Sequence, residues 1–350
     1  MKINRLFLIL GLCATLYSCG DSSKEEIIPV SSGTYILNNG NWGSNDSSIG
    51  IYSPSDKRFT ADAFMAVNGQ ALGDLGQDMI RLGEDVYISV NGSQTIFVTD
   101  TDLKIIHQIN AESVGTRLSP KYLGIGDNKV YVTFYEGYLG EIASDYSIRL
   151  CPVGPNPEGI AVAGNNIFVA NSGGMAHPIY NNTVSVVSAS EFIEISTIEV
   201  NVNPAKVEAS SDGAYVFVSS FGNYADIPAK LQVISVADGA VSDLEYSSVS
   251  AIAKGPGDLL YVLCGGYDEY WNPLPGTVYM HDMKTNRPLG TFVTDGTAMP
   301  KAYSISATPD GYIYVGCSDY TNTGDIFVFT SDGKLHDRFD SQGLNPLKAY

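Results

Sequence analysis

The sequence has few of the residues on which enzymes and disulfide-stabilised proteins depend. Only five cysteines and four histidines occur among 350 residues, and no two cysteines form a CxxC pair. Three cysteines remain beyond the first 32 residues, an odd number, so neither a disulfide framework nor a zinc signature is indicated. The sequence also has no P-loop, nucleophile elbow or HExxH helix. It therefore predicts no enzyme, no catalytic residues, no cofactor and no metal site.

Positive charge is scarce. Lys and Arg total 20 against 38 Asp and Glu, which gives a formal net charge of −18. A chain this acidic repels phosphate backbones and anionic membrane surfaces, so nucleic acid is not expected as a partner. Long apolar runs are missing as well, since the run at residues 6–12 is too short to span a bilayer.

The N-terminal 32 residues have the pattern of a targeting segment. Two basic residues precede the short apolar run, and residues 16–19 resemble a bacterial lipobox, in which the cysteine is acylated and becomes the first mature residue. We predict a lipoprotein signal peptide at residues 1–18, lipidation of Cys19 and a flexible linker over residues 19–32. An ordinary secretory signal with an incidental cysteine is the alternative. A lipid on Cys19 would be the only attachment to a membrane.

Glycine and tyrosine are abundant, with 36 and 22 residues, and 44% of the chain is hydrophobic. This composition favours a well-filled globular protein with many strands and turns. A unit of four short strands, clearest at residues 156–200, repeats along the chain. The strand that opens each hairpin recurs every 43 to 48 residues, at Ser48, Thr95, Tyr138, Thr183, Leu231, Thr277 and Asp325.

Four strands per unit at this period predict an all-β fold, a seven-bladed β-propeller over residues 33–350, with four antiparallel strands per blade. The first unit lacks its inner strand, and Asn345-Pro346 near the C-terminus matches the motif that opens other inner strands. We therefore expect the C-terminal strand to complete the N-terminal blade and remove a free edge. A β-helix or other solenoid is the alternative. Only residues 71–81 suggest a helix, and their glycines allow no more than a turn.

Aromatic and amide side chains concentrate in the long loops of the repeat. If the strands of a blade are lettered a to d from the axis outward, these loops join strands b and c, and all of them lie at one end of the ring. The loop of the second blade, at residues 91–94, is short and would leave a notch. Tyr and Trp combined with Asn and Gly are typical of recognition surfaces, whereas packing between blades is the alternative, for Phe134 and Phe221 above all. The predicted ligand-binding residues are Asn39, Asn41, Trp42, Tyr135, Tyr138, His177, Tyr180, Asn181, Tyr224, Tyr267, Tyr270, Trp271 and Tyr320.

The titratable residues near this rim do not form a catalytic set. His177 alone among the histidines reaches the rim, where it could be a metal ligand or an acid–base group, while His107, His281 and His336 are expected on outer surfaces. Loop carboxylates could form a calcium site from Asp226, Asp268, Glu269 and Asp319, but solvated loop charges are the expectation. A glycosidase pair would have to come from Glu136, Asp226, Asp268 and Asp319.

The segment IFVAN at residues 167–171 and its copies resemble the YVTN/YncE-like seven-bladed propellers, often called surface-layer proteins, over about residues 33–350. Residues 23–26 resemble the short Lys-acidic export signal that Bacteroidetes place after a lipidated cysteine. With the lipobox, the chain is similar to the Bacteroidetes surface propeller lipoproteins that capture cobalamin.

This resemblance implies a lipid-anchored protein on the outer face of the outer membrane. It would bind a corrinoid, as a transported ligand and not as a cofactor, on one face of the propeller and pass it to a TonB-dependent outer-membrane transporter. Two alternatives remain: a glycan-binding or glycan-acting surface propeller, and a protein-interaction scaffold.

Overall fold

The computed structural model of the protein describes residues 33–113, 115–267 and 273–350, with only the backbone at Tyr267. The predicted signal peptide, Cys19 and the linker lie outside the described residues, as do Asp268, Glu269, Tyr270 and Trp271. In the described ranges, no helix has the length and apolar character needed to cross a membrane.

Antiparallel strands make up nearly all of the regular structure. The first strands and the single α-helix of the described ranges are β1 (Thr34–Asn38), β2 (Ser48–Ser53), β3 (Arg58–Thr60), α1 (Ala63–Asn68), β4 (Gly76–Leu82), β5 (Asp85–Val90), β6 (Thr95–Thr99), β7 (Ile105–Ile109), β8 (Glu112–Ser113), β9 (Thr116–Arg117), β10 (Pro120–Gly126), β11 (Lys129–Phe134), β12 (Tyr138–Ile142), β13 (Ile148–Pro152), β14 (Pro157–Ala163) and β15 (Asn166–Asn171). The strands that follow are β16 (Thr183–Ser188), β17 (Glu194–Glu199), β18 (Pro204–Ala209), β19 (Tyr215–Ser220), β20 (Lys230–Ser235), β21 (Val241–Leu244), β22 (Val249–Gly255), β23 (Leu259–Tyr267), β24 (Pro273–Asp282), β25 (Arg287–Thr291), β26 (Ala302–Ala307), β27 (Ile313–Cys317), β28 (Asp325–Phe329), β29 (Leu335–Asp340) and β30 (Pro346–Ala349).

These strands form seven four-stranded sheets in the described part of the chain, and β8 and β9 form a separate short hairpin. Blade 1 contains β30, β1, β2 and β3 from the inside outward, and blades 2 to 7 begin on the inner strands β4, β10, β14, β18, β22 and β26. Each inner strand contacts the inner strands of both neighbouring blades, and β30 contacts β26 and β4. The inner strands therefore form a closed ring, which confirms the predicted seven-bladed propeller.

The C-terminal strand closes this ring as predicted. In blade 1, β30 pairs antiparallel with β1, with Ile36 opposite Ala349. Beyond the strand, Tyr35 and Tyr350 exchange two backbone hydrogen bonds of 2.9 and 3.0 Å. Because β30 comes from the other end of the chain, the inner edge of blade 1 is paired instead of open.

The core lies between the blades. Strand β15 is buried along almost its whole length, while the outer strand β17 of the same blade is mostly exposed. Central strands thus read as continuous apolar runs, because each blade is covered on both faces. The cysteines Cys151, Cys264 and Cys317 are buried and unpaired, and burial raises the pKa of Cys264 to about 11 and that of Cys317 to about 12. They are inert core residues.

Two sequence predictions are wrong. The helical segment is α1, and residues 76–82 form strand β4 instead of a turn of helix. Phe64 on α1 is fully buried and packs on Phe97 at 5.3 Å between ring centroids, so a tertiary contact fixes this short helix.

His281 is also not a surface residue. It is 1% exposed on β24, its Nδ1 lies 3.0 Å from the Tyr246 hydroxyl, and its Nε2 lies 2.9 Å from Asn286 Oδ1. Burial lowers the pKa of His281 below its ordinary value, so the residue is a neutral core histidine. By contrast, His107 is exposed and stacks on Tyr146. His336 is half-buried, with Nε2 2.8 Å from the Pro54 carbonyl oxygen.

Candidate functional site

A cavity of about 610 Å³ lies on the axis of the ring. All seven inner strands contribute to its wall, and the b–c loops of blades 3, 4, 5 and 7 contribute to its opening. The cavity is therefore a funnel whose two parts, loops and strands, differ in chemistry. We call them the aromatic mouth (Tyr135, Tyr180, Phe221, Tyr224 and Tyr320) and the charged wall (Asp78, Lys121, Glu158, Lys206, Glu208, Lys254 and Lys348).

The aromatic mouth brings together four of the predicted ligand-binding residues. Tyr180 and Tyr224 meet edge to face with ring centroids 5.9 Å apart, and Phe221 stacks on Tyr224 at 6.3 Å. Tyr320 meets Tyr303 of the inner strand β26 at 5.6 Å. Tyr224 is 62% exposed and Tyr320 is 48% exposed, although both line the cavity. The mouth thus offers aromatic surface to a ligand.

Two of these tyrosines have left-handed backbone conformations. The φ angle is 57° at Tyr224 and 64° at Tyr320, which is uncommon for bulky residues. The preceding residue holds each loop. Asn223 Oδ1 accepts backbone N–H groups of Ala225 and Ile227.

Asp319 Oδ1 does the same in the other loop, where it accepts the N–H groups of Thr321 and Asn322 at 3.0 and 2.8 Å. Side-chain turns of this kind over-determine the loop and can sustain a strained residue, at a cost of about 1–3 kcal/mol. Both tyrosines line the cavity from these fixed loops.

The predicted amide residues serve the framework. Asn39 donates to the Gly76 carbonyl oxygen at 2.7 Å. Asn41 Nδ2 donates to the Tyr320 carbonyl oxygen of blade 7 at 3.4 Å, and Asn41 Oδ1 accepts Nδ2 of Asn345 at 3.1 Å. Asn181 Oδ1 accepts the N–H of the next residue. Tyr138 is the first residue of β12, half-buried against the core of blades 2 and 3. None of these four lines the cavity.

Two other predicted residues lie beside the mouth. Trp42 is 77% exposed, and His177 is exposed with its ring 5.8 Å from that of Tyr180. Neither lines the cavity. Tyr270 and Trp271 are outside the described residues, and the side chain of Tyr267 is not described.

The predicted rim carboxylates in the described ranges all accept hydrogen bonds, and Asp319 also pairs with Lys301 at 3.2 Å. Glu136 accepts the Ser119 N–H at 2.9 Å, and Asp226 accepts Asn223 Nδ2 at 2.7 Å. The hydrogen bond from Asn223 lowers the pKa of Asp226, and those from Asn322 and Thr321 lower the pKa of Asp319. Carboxylates held in the ionised form do not suit the general-acid role in glycoside cleavage. Among the residues that the structure describes, no three His, Cys, Asp or Glu side chains form a metal-binding group.

The charged wall was not predicted from the sequence. Lys121 pairs with Glu158 at 2.6 Å, Lys348 with Asp78 at 2.5 Å, and Lys254 with Asp258 at 3.1 Å. A sequence pattern from which the wall could have been predicted is present, because Lys121 and Glu158 each directly follow the proline that opens their inner strand. That register position faces the axis.

Asp78 is the most tightly held group of the wall. It is 2% exposed and accepts the N–H groups of Met79 and Leu123, at 2.9 and 3.0 Å, besides the ammonium of Lys348. Its partners belong to blades 2, 3 and 1, so this carboxylate joins three blades. Lys121 in turn lies 4.4 Å from the Tyr135 ring centroid and connects the wall to the mouth.

Lys206 differs from the other lysines of the wall. Its Nζ lies 3.5 Å from the ring centroid of Tyr122, and no carboxylate in the described ranges lies within 4 Å of it. Burial lowers the pKa of Lys206 to about 8 and raises the pKa of the neighbouring Glu208. Among the described wall lysines, Lys206 is thus the one that has an aromatic ring but no carboxylate as its close partner.

Several solved structures are similar to this chain in fold. A putative 6-phosphogluconolactonase from Bacteroides uniformis is 13% identical, with a TM-score of 0.61 over 90% of this chain and 98% of that one. The WD40 propeller domain of Doa1 is 13% identical, with a TM-score of 0.58 over 83% and 88%. Hydrazine synthase from Kuenenia stuttgartiensis is 16% identical, with a TM-score of 0.57 over 72% and 74%. Identities this low support the fold alone.

A comparison with curated proteins found no match. A family comparison did find one, covering residues 32–306 and therefore most of the blades. The chain belongs to the family described as Domain of unknown function (DUF5074).

Proposed function

We propose that this propeller is a surface lipoprotein that captures cobalamin in its funnel and passes it to a TonB-dependent outer-membrane transporter. The observation that carries the proposal is the aromatic mouth over a cavity of about 610 Å³. A volume of this size is in the range of small-molecule sites, roughly 300–1,000 Å³. The resemblance to cobalamin-capturing lipoproteins supplies the identity of the ligand.

The chemistry of the funnel is compatible with a corrinoid. A corrin ring has broad apolar faces and a periphery of amides. Tyr180, Tyr224 and Tyr320 offer ring faces and edges for the former. Lysines and tyrosine hydroxyls in the wall offer donors to the amide carbonyl groups.

Transfer to a transporter would use the same end of the propeller. Met175 and Ile179 in the b–c loop of blade 4 are 77% and 82% exposed, and Trp42 in blade 1 is equally open. Exposed apolar residues of this kind are common where a protein partner docks. We propose that the transporter contacts these residues, with the lipid on Cys19 keeping the propeller at the membrane.

Titration of the purified protein with cyanocobalamin tests capture directly. Saturable binding at micromolar or lower ligand is expected, and a protein isolated with bound corrinoid would be pink. Replacement of both Tyr224 and Tyr320 by alanine should weaken binding at least tenfold. Leu289→Ala is the matched control, because Leu289 is 50% exposed on the outer strand β25, away from the mouth.

Two results would contradict the proposal. One is the absence of binding at micromolar cyanocobalamin. The other is an equal loss of affinity in the mouth variant and the Leu289→Ala control. Saturable binding of an oligosaccharide in place of cyanocobalamin would instead support a glycan-binding propeller.

A further inference from the structure

We propose that the charged wall contains an anion subsite centred on Lys206, which binds a phosphate or carboxylate group of the ligand that enters through the mouth. The subsite deepens the proposed function, since cobalamin carries one phosphodiester group. It does not depend on the corrinoid, because any ligand with an acidic group could use it.

The first argument is the pairing of the wall charges. Asp78 is already bound by Lys348 and two backbone N–H groups. Glu158 is bound by Lys121 and lies 3.4 Å from the Ser172 hydroxyl. Both carboxylates are therefore committed to other donors, and their attraction for Lys206 acts only at longer range.

The remaining wall charges also provide no close ion pair for Lys206 within the described ranges. Glu208 is near enough to interact electrostatically with Lys206 but forms no ion pair with it within the described ranges. Lys348 faces the same space and repels the Lys206 ammonium. The Lys206 ammonium therefore has no close anionic partner in the part of the chain that the structure describes, and the acidic group of a ligand would supply one.

The path of the Lys206 side chain is the second argument. Lys206 is on the inner strand of blade 5 and Tyr122 on that of blade 3, so the lysine crosses in front of blade 4. At the matching position, two residues after the proline that opens the strand, blade 4 has Gly159. The absence of a side chain there leaves the crossing open.

Gly159 also lets β14 approach β18 closely. A Cβ atom added to it would lie 2.8 Å from the Ala205 carbonyl oxygen and 2.9 Å from the Val207 nitrogen, too close without a backbone shift. The sequence of the inner strands therefore holds the Lys206 ammonium over the Tyr122 ring, inside the funnel and within the cavity lining. An aromatic face stabilises the cation while its N–H donors remain available to a ligand.

The third argument is the contrast with the rest of the molecule. The whole chain has a formal charge of −18 and only 20 basic residues, yet four lysines line this one cavity. Three carboxylates share the lining with these four lysines, so the wall has a formal charge of +1, in contrast to the −18 of the whole chain.

Inorganic phosphate is the probe for the test. We would follow its binding by the ³¹P line width in titrations of the purified wild type, Lys206→Met, Lys206→Arg and Lys129→Met. Lys129 is the matched control, because its side chain is 43% exposed outside the cavity and it forms an ion pair with Glu141. Thermal melts of all four proteins check that each is folded.

We expect phosphate to bind the wild type, Lys206→Arg and Lys129→Met with similar affinity, and Lys206→Met at least tenfold more weakly. Benzoate should displace phosphate if the subsite accepts carboxylates, whereas benzamide, its neutral analogue, should not. No phosphate binding to the wild type, or equal binding to all four proteins, would overturn the proposal.

The same proteins separate this inference from the proposed function. Phosphate binding that needs Lys206, in a protein that does not bind cyanocobalamin, supports the anion subsite and rejects the corrinoid. Cyanocobalamin binding without any Lys206-dependent phosphate binding supports the proposed function and rejects the anion subsite.

Discussion

The aromatic mouth and the charged wall are parts of one funnel but are built in different ways. The mouth uses loops of unequal length, two of them with a tyrosine in a left-handed conformation. The wall uses the inner strands, whose register repeats from blade to blade and whose charges are mostly paired. Loops can vary without disturbing the ring, whereas the wall ion pairs Lys121–Glu158 and Lys348–Asp78 also join neighbouring blades. The mouth is therefore suited to select a ligand, and the wall must serve stability as well.

The largest expected effect tests whether wall charges hold the blades together. Asp78→Ala removes the acceptor of two backbone N–H groups and of Lys348, so we expect a loss of about 3 kcal/mol in the free energy of unfolding. Urea unfolding measures it. Asp226→Ala at the mouth is the control and should leave the unfolding midpoint unchanged, since Asp226 is bound only within its own loop. Equal effects at both sites would remove the distinction between wall and mouth.

The next test concerns the mouth alone. Tyr224→Ala combined with Tyr320→Ala should lower the affinity for cyanocobalamin about tenfold or more, equivalent to about 1.4 kcal/mol or more of binding free energy. The urea midpoint should change little, because both side chains are largely exposed. Isothermal titration calorimetry measures the affinity, and urea unfolding measures the midpoint. A double variant that unfolds more easily but binds normally would show that these rings serve packing.

Lys206, in contrast to the mouth tyrosines, should affect the stability of the folded protein. Its folded-state pKa of about 8 is below the ordinary value of 10.5, so the unfolded chain binds more protons between these pH values and wild-type stability rises with pH there. Lys206→Met lacks this titration and should be more stable than the wild type at pH 7, by less than the roughly 3 kcal/mol that the pKa difference represents, because the contact of the ammonium with Tyr122 is lost. The difference should shrink as pH rises from 7 to 9.5, as measured by urea unfolding at each pH. A variant that is less stable at pH 7 would contradict this reasoning.

The smallest effect is expected at the border of the mouth. His177→Ala should lower cyanocobalamin affinity less than about threefold, because the ring is exposed and does not line the cavity. Calorimetric titration of this variant beside Tyr180→Ala would compare a neighbour of the cavity with a residue that lines it. A larger loss of affinity in His177→Ala than in Tyr180→Ala would contradict this prediction and indicate that the ligand binds outside the funnel.

The sequence predicted the fold well because each blade repeats the same pattern of four short strands. Strands of matched length, such as β2 and β16, recur at the predicted starts Ser48 and Thr183. Ring closure followed from the same register, since Asn345-Pro346 copies the opening of the other inner strands. In contrast, α1 has no repeat partner and depends on the burial of Phe64, which local propensity does not express.

The candidate site could be predicted only in part. Large rings in the b–c loops stand out, so the place of Tyr180, Tyr224 and Tyr320 in the repeat predicts that they lie on one rim, and all three line the cavity. Asn39 and Asn181 were assigned to the same surface, but short amides at strand ends bind nearby backbone groups. The wall was missed because Lys121 and its equivalents were interpreted as marks of the repeat, and only the closed ring shows that they meet around one axis.

The position of β30 has a consequence for biosynthesis. This strand follows the other strands in chain order, yet it supplies Lys348 and Leu347 to the funnel and pairs with β1. Neither the ring nor the full binding cavity can form until that last strand has been synthesised and has returned to the first blade. A prematurely terminated chain would expose unpaired strand edges, which are targets for proteases and sites of aggregation. The cavity is therefore complete only in a chain that includes β30 and has paired it with β1.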